Sequence, residues 1–245
     1  MKKHLYLFFL SVFLISINLL AQPKKNLIVE YDFKLYLGSM NNYHAILCQN
    51  DSIGYFKYTN TTKGSSVTEE NDNLKVSIND STEQTSYYDK KVNIKVVVGM
   101  GNERFYQIID SINQVKWVIT DEVKMIEKYE AIKATTHFKG RDYTVWFTPE
   151  IPAYFGPVKL HGLPGLILEI SDAKKEVFLI AKKITYNNVE RLDIPTLPYK
   201  IITNKEYTVL LRQVVEKSVQ KATTKIGRGY TFKIKTDFKN IEIEE

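Results

Sequence analysis

The stretch Asn26–Tyr36, NLIVEYDFKLY, decides the fold class. Apolar residues alternate with polar ones along it, and branched and aromatic side chains predominate. A period of two puts Leu27, Val29, Tyr31, Phe33 and Leu35 on one face of an extended strand. The same signal recurs outward along the chain. It predicts strands over 44–49 and 52–58, split by the turn-forming Asn50-Asp51, and weaker strands over 73–79 and 92–98. Segment 104–109 is expected to pair with 112–119 across Asp110-Ser111. Segment 129–138 is expected to pair with 141–147 across Lys139-Gly140, and 166–171 with 176–186 across 172–175. The polar run 60–73 reads as a mobile loop, Gly99 and Gly101 as a turn, and 230–238 as a last strand before a frayed tail at 240–245. Short links between successive strands favour an antiparallel meander.

One helix breaks this pattern. Thr203 can cap it, with Glu206 three residues on as in a capping box. Tyr207, Leu210, Leu211, Val214 and Val215 then recur at helical spacing, a face suited to docking onto a sheet. The expected fold is mainly β: a curved antiparallel sheet, half-barrel or meander-like, with one amphipathic helix near the C-terminus.

The N-terminus carries an address. Lys2 and Lys3 precede an apolar run over 5–20, and Ala21-Gln22 is a plausible cleavage site, although Leu19 is bulky for the third position before it. The run is short for a membrane span and is weakened by Ser11, Ser16 and Asn18. Residues 1–21 are therefore read as a signal peptide, with an uncleaved anchor as the alternative, and 22–245 as a single domain without a transmembrane segment. The net charge of +6 is scattered as single lysines rather than massed, which argues against nucleic acid as a partner. Cys48 is the only cysteine, so no intrachain disulfide can form, and a core must come from the 44% of hydrophobic residues.

The least regular segment is 149–165. Three of the chain's 7 prolines and three of its 11 glycines fall within 151–170, IPAYFGPVKLHGLPGLILEI. Prolines fix φ and lack a donor, and glycines permit positive φ, so the segment reads as a rigid corner feeding the strand at Leu166. Leu163-Pro164-Gly165 fits a type II turn, with Gly165 at positive φ. The corner resembles the GLPGLI family of exported Bacteroidetes proteins, whose name stands letter for letter at Gly162-Leu163-Pro164-Gly165-Leu166-Ile167. The likeness extends upstream through 140–152 and Phe155-Gly156-Pro157, and back to 129–134, where Ala131 stands at a position often occupied by cysteine in that family. The resemblance implies an envelope location, the periplasm or the periplasmic side of the outer membrane, and service to outer-membrane transport. It implies no transferable activity and no catalytic residue. On it, Pro152, Tyr154, Phe155, Gly156, Pro157, His161, Gly162, Leu163, Pro164 and Gly165 become the motif positions where a partner would make contact.

Signatures of catalysis are lacking: there is no G-x-S-x-G, H-E-x-x-H, C-x-x-C or Walker loop. His44 and Cys48 share a strand face but stand about 13 Å apart at 3.3 Å per residue, too far for one metal or a nucleophile–base pair. Cys48 is expected to be a small buried residue. His161 is expected in an exposed turn, and Glu169 on the solvent face or in a salt bridge. Trp117 and Trp146 are expected on strands, as core packing or the lining of an apolar-ligand site. No metal, cofactor or catalytic residue is assigned. The leading reading is a non-enzymatic envelope protein that binds an apolar ligand or an outer-membrane transport protein. The alternatives are a hydrolase using Glu150, His161 or Glu169, and a purely structural component of an outer-membrane assembly.

Overall fold

In a computed structural model the alternating stretch NLIVEYDFKLY becomes β1 (Asn26–Tyr36), the seam of the molecule. The structure describes residues 25–36, 40–61, 64–70, 73–79, 83–90, 94–100, 104–110, 114–187, 192–193, 196, 198–210, 212–213 and 216–217. Residues 1–21, read above as a signal peptide, the strand expected at 230–238 and the tail expected at 240–245 lie outside them.

On one side of β1 run β2 (Met40–Gln49) and β3 (Ile53–Asn60), joined through Asn50-Asp51 as expected. A separate two-stranded ribbon, β4 (Gly64–Glu70) with β5 (Asn73–Asn79), intervenes before β6 (Glu83–Asp89), β7 (Ile94–Met100) and β8 (Arg104–Asp110). On the other side β9 (Val118–Ile126), β10 (Tyr129–Phe138), β11 (Arg141–Thr148), β12 (Leu166–Asp172) and β13 (Val177–Asn187) form a meander that ends against β1. The short β14 (Lys200–Ile202) lies parallel to β8, the one parallel pairing among the described strands. The sheet holds twelve strands in the order β14-β8-β7-β6-β3-β2-β1-β13-β12-β11-β10-β9 and is open at both ends.

Three register shifts bend it. β13 carries an extra residue at Lys182 opposite Glu30/Tyr31, β12 an extra residue at Leu168 opposite Trp146/Phe147, and β9 loses step with β10 between Ile132 and Ala134. Each bulge tightens the local twist and curls the sheet around one face. That face is the core. Leu27, Val29, Tyr31, Phe33 and Leu35 are all buried, with Leu47, Ala45 and Phe56 beside them on one flank and Leu179 and Val177 on the other. Phe33, Tyr43 and Tyr58 pack edge-on or tilted at centroid distances of 5.2–5.3 Å. The opposite face of β1 presents Asp32 and Lys34 to solvent.

Helix α1 (204–210) begins as expected. The Thr203 backbone N–H donates to Glu206 Oε2 at 2.7 Å, and the Glu206 N–H donates back to Thr203 Oγ1 at 3.1 Å. Tyr207 and Leu210 lie half-buried against the core. Leu211, Val214 and Val215 fall outside the described residues.

Four expectations fail. Gly99 is not in a turn but in β7, paired with Phe105. Segment 60–73 is not a loop, since β4 occupies its centre and β3 and β5 reach its two ends. The strand expected at 112–119 does not pair back onto β8 over its described residues, because 114–117 is irregular and β9 begins at Val118 on the far edge of the sheet. Trp117 is consequently on no strand. The charged sequence VITDEVKMI carries no clean alternation, which is why β9 is invisible to a period-two reading.

Candidate functional site

The corner between β11 and β12 does not stand off the protein as a turn. It folds inward across the core face, tying the two flanks of the sheet together. Residues 155–161 form a tight loop closed by an antiparallel bridge between Phe155 and His161. The Gly162 N–H donates to Tyr154 O at 2.9 Å, the Gly156 N–H to Leu160 O at 2.7 Å, and the Leu166 N–H to Ile151 O at 3.0 Å. A single 3₁₀ turn, Pro157–Lys159, lies at its centre. There Val158 sits at φ 48° and ψ 40°, followed by Lys159 at φ 65°. Left-handed backbone at a β-branched residue costs roughly 1–3 kcal/mol and persists only where the surroundings over-determine it.

The surroundings do so from the opposite flank. The Gln49 side chain, at the end of β2, donates from Nε2 to Phe155 O at 2.7 Å and accepts at Oε1 from the N–H groups of Tyr154 and Phe155. Phe155 stacks on Tyr88 of β6 at 5.2 Å, and the Lys159 N–H donates to Tyr88 Oη at 3.3 Å. Trp117 donates its indole N–H to His161 O at 2.8 Å. Strand alternation places Gln49 on the face of Leu47 and Ala45, so a buried glutamine at a core position was the sequence signal for this anchor. It was missed.

The glycines divide their work. Gly162 has φ 86° with open space where a Cβ would stand. Gly165 is not at positive φ, so the type II turn does not form. It is needed for another reason: a Cβ there would collide with the Thr148 carbonyl oxygen and lie 2.7 Å from its carbon and 2.9 Å from Pro149 Cα. His161 is also unlike its expectation. It is 5% exposed rather than in an open turn, and its Nδ1 lies 2.9 Å from Lys159 O. A carbonyl only accepts, so Nδ1 carries the proton.

Of the ten motif positions, Phe155, Gly156, Pro157, His161, Leu163 and Gly165 are buried, Tyr154 is half-buried, and Pro152, Gly162 and Pro164 are exposed. The outer surface of the corner forms one wall of a cleft of about 520 Å³, contributing Pro149, Pro152, Ala153, Tyr154, Leu163 and Pro164. The other walls come from the start of β1 (Lys25, Leu27), the end of β2 (Gln49, Asn50, Asp51), Lys90 after β6, and Tyr186 of β13. Lys90 Nζ sits 4.2 Å from the centroid of the Tyr154 ring, a cation–π contact at the cleft edge.

A second buried polar cluster locks the far end of the same strands. Arg141 Nη1 lies 2.7 Å from Asp172 Oδ2 and 2.8 Å from Glu176 Oε2, with the Arg141 and Asp172 side chains each 1% exposed. Asp172 Oδ1 also accepts from the Glu176 and Val177 N–H groups at 2.7 and 2.8 Å. Burial alone would push the guanidinium pKa down, but the hydrogen bonds from the two carboxylates outweigh it and hold it above its ordinary value. The cluster fixes the 172–176 turn against the start of β11.

The remaining candidates are scattered. Glu169 pairs with Lys124 through both oxygens at 2.9 Å, in line with the salt-bridge expectation. Lys124 also covers the Trp146 ring at 4.3 Å, on the outer face of the sheet. Glu150 is exposed and accepts from the Glu130 N–H, so Glu150, His161 and Glu169 do not converge. Cys48 is buried, and desolvation raises its thiol pKa. His44 faces solvent near Glu30, and His137 makes an exposed 2.6 Å contact with Asp142. Among the described residues no three metal-capable side chains cluster, and no helix is long and apolar enough to cross a membrane.

Comparison with known proteins adds a partial family match and a fold. Residues 137–169 match the family model described as "Protein of unknown function (Porph_ging)", the GLPGLI family of Bacteroidetes. No curated protein matches the chain. Two crystal forms of PNGF-II are similar to it at 15% identity, with TM-scores of 0.54 over 78% of this chain and 0.45 over 79%. The chain spans 34% of the PNGF-II chain in the better superposition. A domain described as an outer membrane lipoprotein-sorting protein from Vibrio parahaemolyticus superposes with a TM-score of 0.33 and 7% identity over 66% of this chain and 85% of its own, below the level at which a shared fold follows.

Proposed function

We propose that this chain is a GLPGLI-family protein exported to the cell envelope, where it acts without catalysis as a binding accessory of outer-membrane transport. Its seat for a ligand or partner is the cleft walled by the corner. The observation that carries this reading is the use made of the motif. Its buried part is clamped by Gln49 and Tyr88, while its outward part, Pro152, Pro164 and the half-buried Tyr154, lines an open cleft of a size typical for binding sites. A segment held in strained geometry by contacts from both flanks of a sheet presents a rigid surface, and rigidity lowers the entropic cost of binding. The fold itself recurs as one part of the longer PNGF-II chain, which supports its use as a module.

The test is affinity capture from solubilised native envelopes with the mature protein as bait, comparing it with Tyr154→Ala and Pro164→Ala. Both variants alter the cleft wall and leave the Gln49 clamp in place. A specific envelope component should be retained by the parent and lost from both variants while their melting stays near that of the parent. Retention by all three would remove the cleft from the reading.

A further inference from the structure

We infer that the cleft beside the corner is a site for a small anion on an apolar or aromatic body, read by Lys25 and Lys90. This rests on the cleft being the binding seat and goes on to name the chemistry of its occupant. The argument is an inventory of which lining groups have hydrogen-bonding capacity to spare. Gln49 has given both ends of its amide to the corner. Asn50 Oδ1 accepts from the Ser52 and Ile53 N–H groups, and its Nδ2 contacts Asn26. The acceptor oxygens of both wall amides are therefore committed, and all that either amide can still offer a ligand is an N–H. Lys25 and Lys90 are exposed and make no ion pair among the described residues, and Lys90 Nζ lies over the Tyr154 ring. The hydroxyls of Tyr154 and Tyr186 likewise have no hydrogen-bond partner among the described residues.

The side-chain donors left to meet a ligand are thus chiefly two ammonium groups and two phenolic hydroxyls, in a wall that carries a single carboxylate, Asp51. That donor-rich balance suits an acceptor-rich, negatively charged head such as a carboxylate, phosphate or sulfonate. The rest of the wall is Leu27, Leu163, the exposed prolines and the faces of the two tyrosines, which suits an apolar or planar body. The Lys90–Tyr154 contact couples the two features. An anion drawn to Lys90 arrives over the Tyr154 ring, against which its body can pack.

Two dyes that share an aromatic skeleton separate charge from bulk: anilinonaphthalene sulfonate, an anion, and phenylnaphthylamine, its neutral counterpart. Both are titrated by fluorescence into the mature protein and into Lys25→Gln, Lys90→Gln and the double variant, with Lys182→Gln, which pairs with Asp32 and does not line the cleft, as control. The anion is expected to bind one per chain and at least tenfold more tightly than the neutral dye. Each lysine variant should lose a substantial part of that preference, the double variant all of it, and Lys182→Gln none. Equal affinity for the two dyes, a preference unchanged in the double variant, or no binding of either would overturn the assignment. If envelope capture succeeds while the dye preference is absent, the cleft remains the seat and only the ligand class is wrong.

Discussion

At the scale of single residues, the corner shows two ways in which a glycine becomes indispensable. Gly162 supplies a backbone conformation, at φ 86° with free space around it. Gly165 supplies an absence, because backbone atoms of Thr148 and Pro149 occupy the volume a side chain would need. These predict different costs. Gly162→Ala meets only the left-handed penalty, about 1 kcal/mol, or about 2–4 °C in a domain of this size. Gly165→Ala forces main chain apart and should cost about 3 kcal/mol, or about 6–12 °C. Thermal melts of both variants decide the matter, and equal losses would refute the packing account of Gly165. The motif's repeated glycines were legible as backbone devices, but which device each one served was not. Close approach depends on where β11 leaves its Thr148 carbonyl, and no local sequence records that.

At the scale of elements, the reading succeeded where a side-chain period coincided with a turn signal. The bounds of β1 and the β10–β11 and β12–β13 hairpins follow from alternation bounded by Asn, Asp, Gly or Lys turns. It failed for β4, β6 and β9. β9 is an edge strand that faces water along most of its length, where selection for alternation is weak. β6 lies inside the sheet between β3 and β7, but its sequence EQTSYYD buries the polar Thr85 and Ser86, so no apolar period marks it. Helix α1 was visible through its capping box, and that box also makes a pH-dependent prediction. Hydrogen bonds from the Thr203 backbone N–H and hydroxyl hold the Glu206 carboxyl below its ordinary value of 4.5. A folded-state pKa depressed in this way means the cap contributes fully above the ordinary glutamate range and is lost as pH falls through the lowered value. The Thr203 amide proton, followed by NMR, should therefore titrate with a midpoint below 4.5, and in Glu206→Gln this titration should vanish. A midpoint at or above the ordinary value would mean that the box is not formed in solution.

For the molecule as a whole, the decisive fact is that its first strand is its middle one. β1 pairs with β2 directly after it and with β13 about 150 residues later, as in Val29↔Leu47 and Val29↔Ile184. Two meanders thus share one seam, and neither flank can bury its apolar face alone: the corner from the β9–β13 flank is held by Gln49 and Tyr88 of the other. Alternation within residues 26–36 announced a buried strand but not its two partners, since pairing across such a distance is settled by the closure of the whole sheet. The architecture predicts an asymmetry between the seam and the rim. Proline removes a ladder donor and is tolerated in sheets only at edges. Val29→Pro, at a fully buried position with a neighbour on each side, should abolish cooperative unfolding, because it uncouples both flanks at once. Val123→Pro, on the edge strand β9 and 56% exposed, should leave a cooperative transition at reduced stability. Urea unfolding followed by far-UV circular dichroism distinguishes the two. If Val29→Pro still unfolds in one steep transition with an unchanged denaturant slope, the flanks fold independently and β1 is not the seam that joins them.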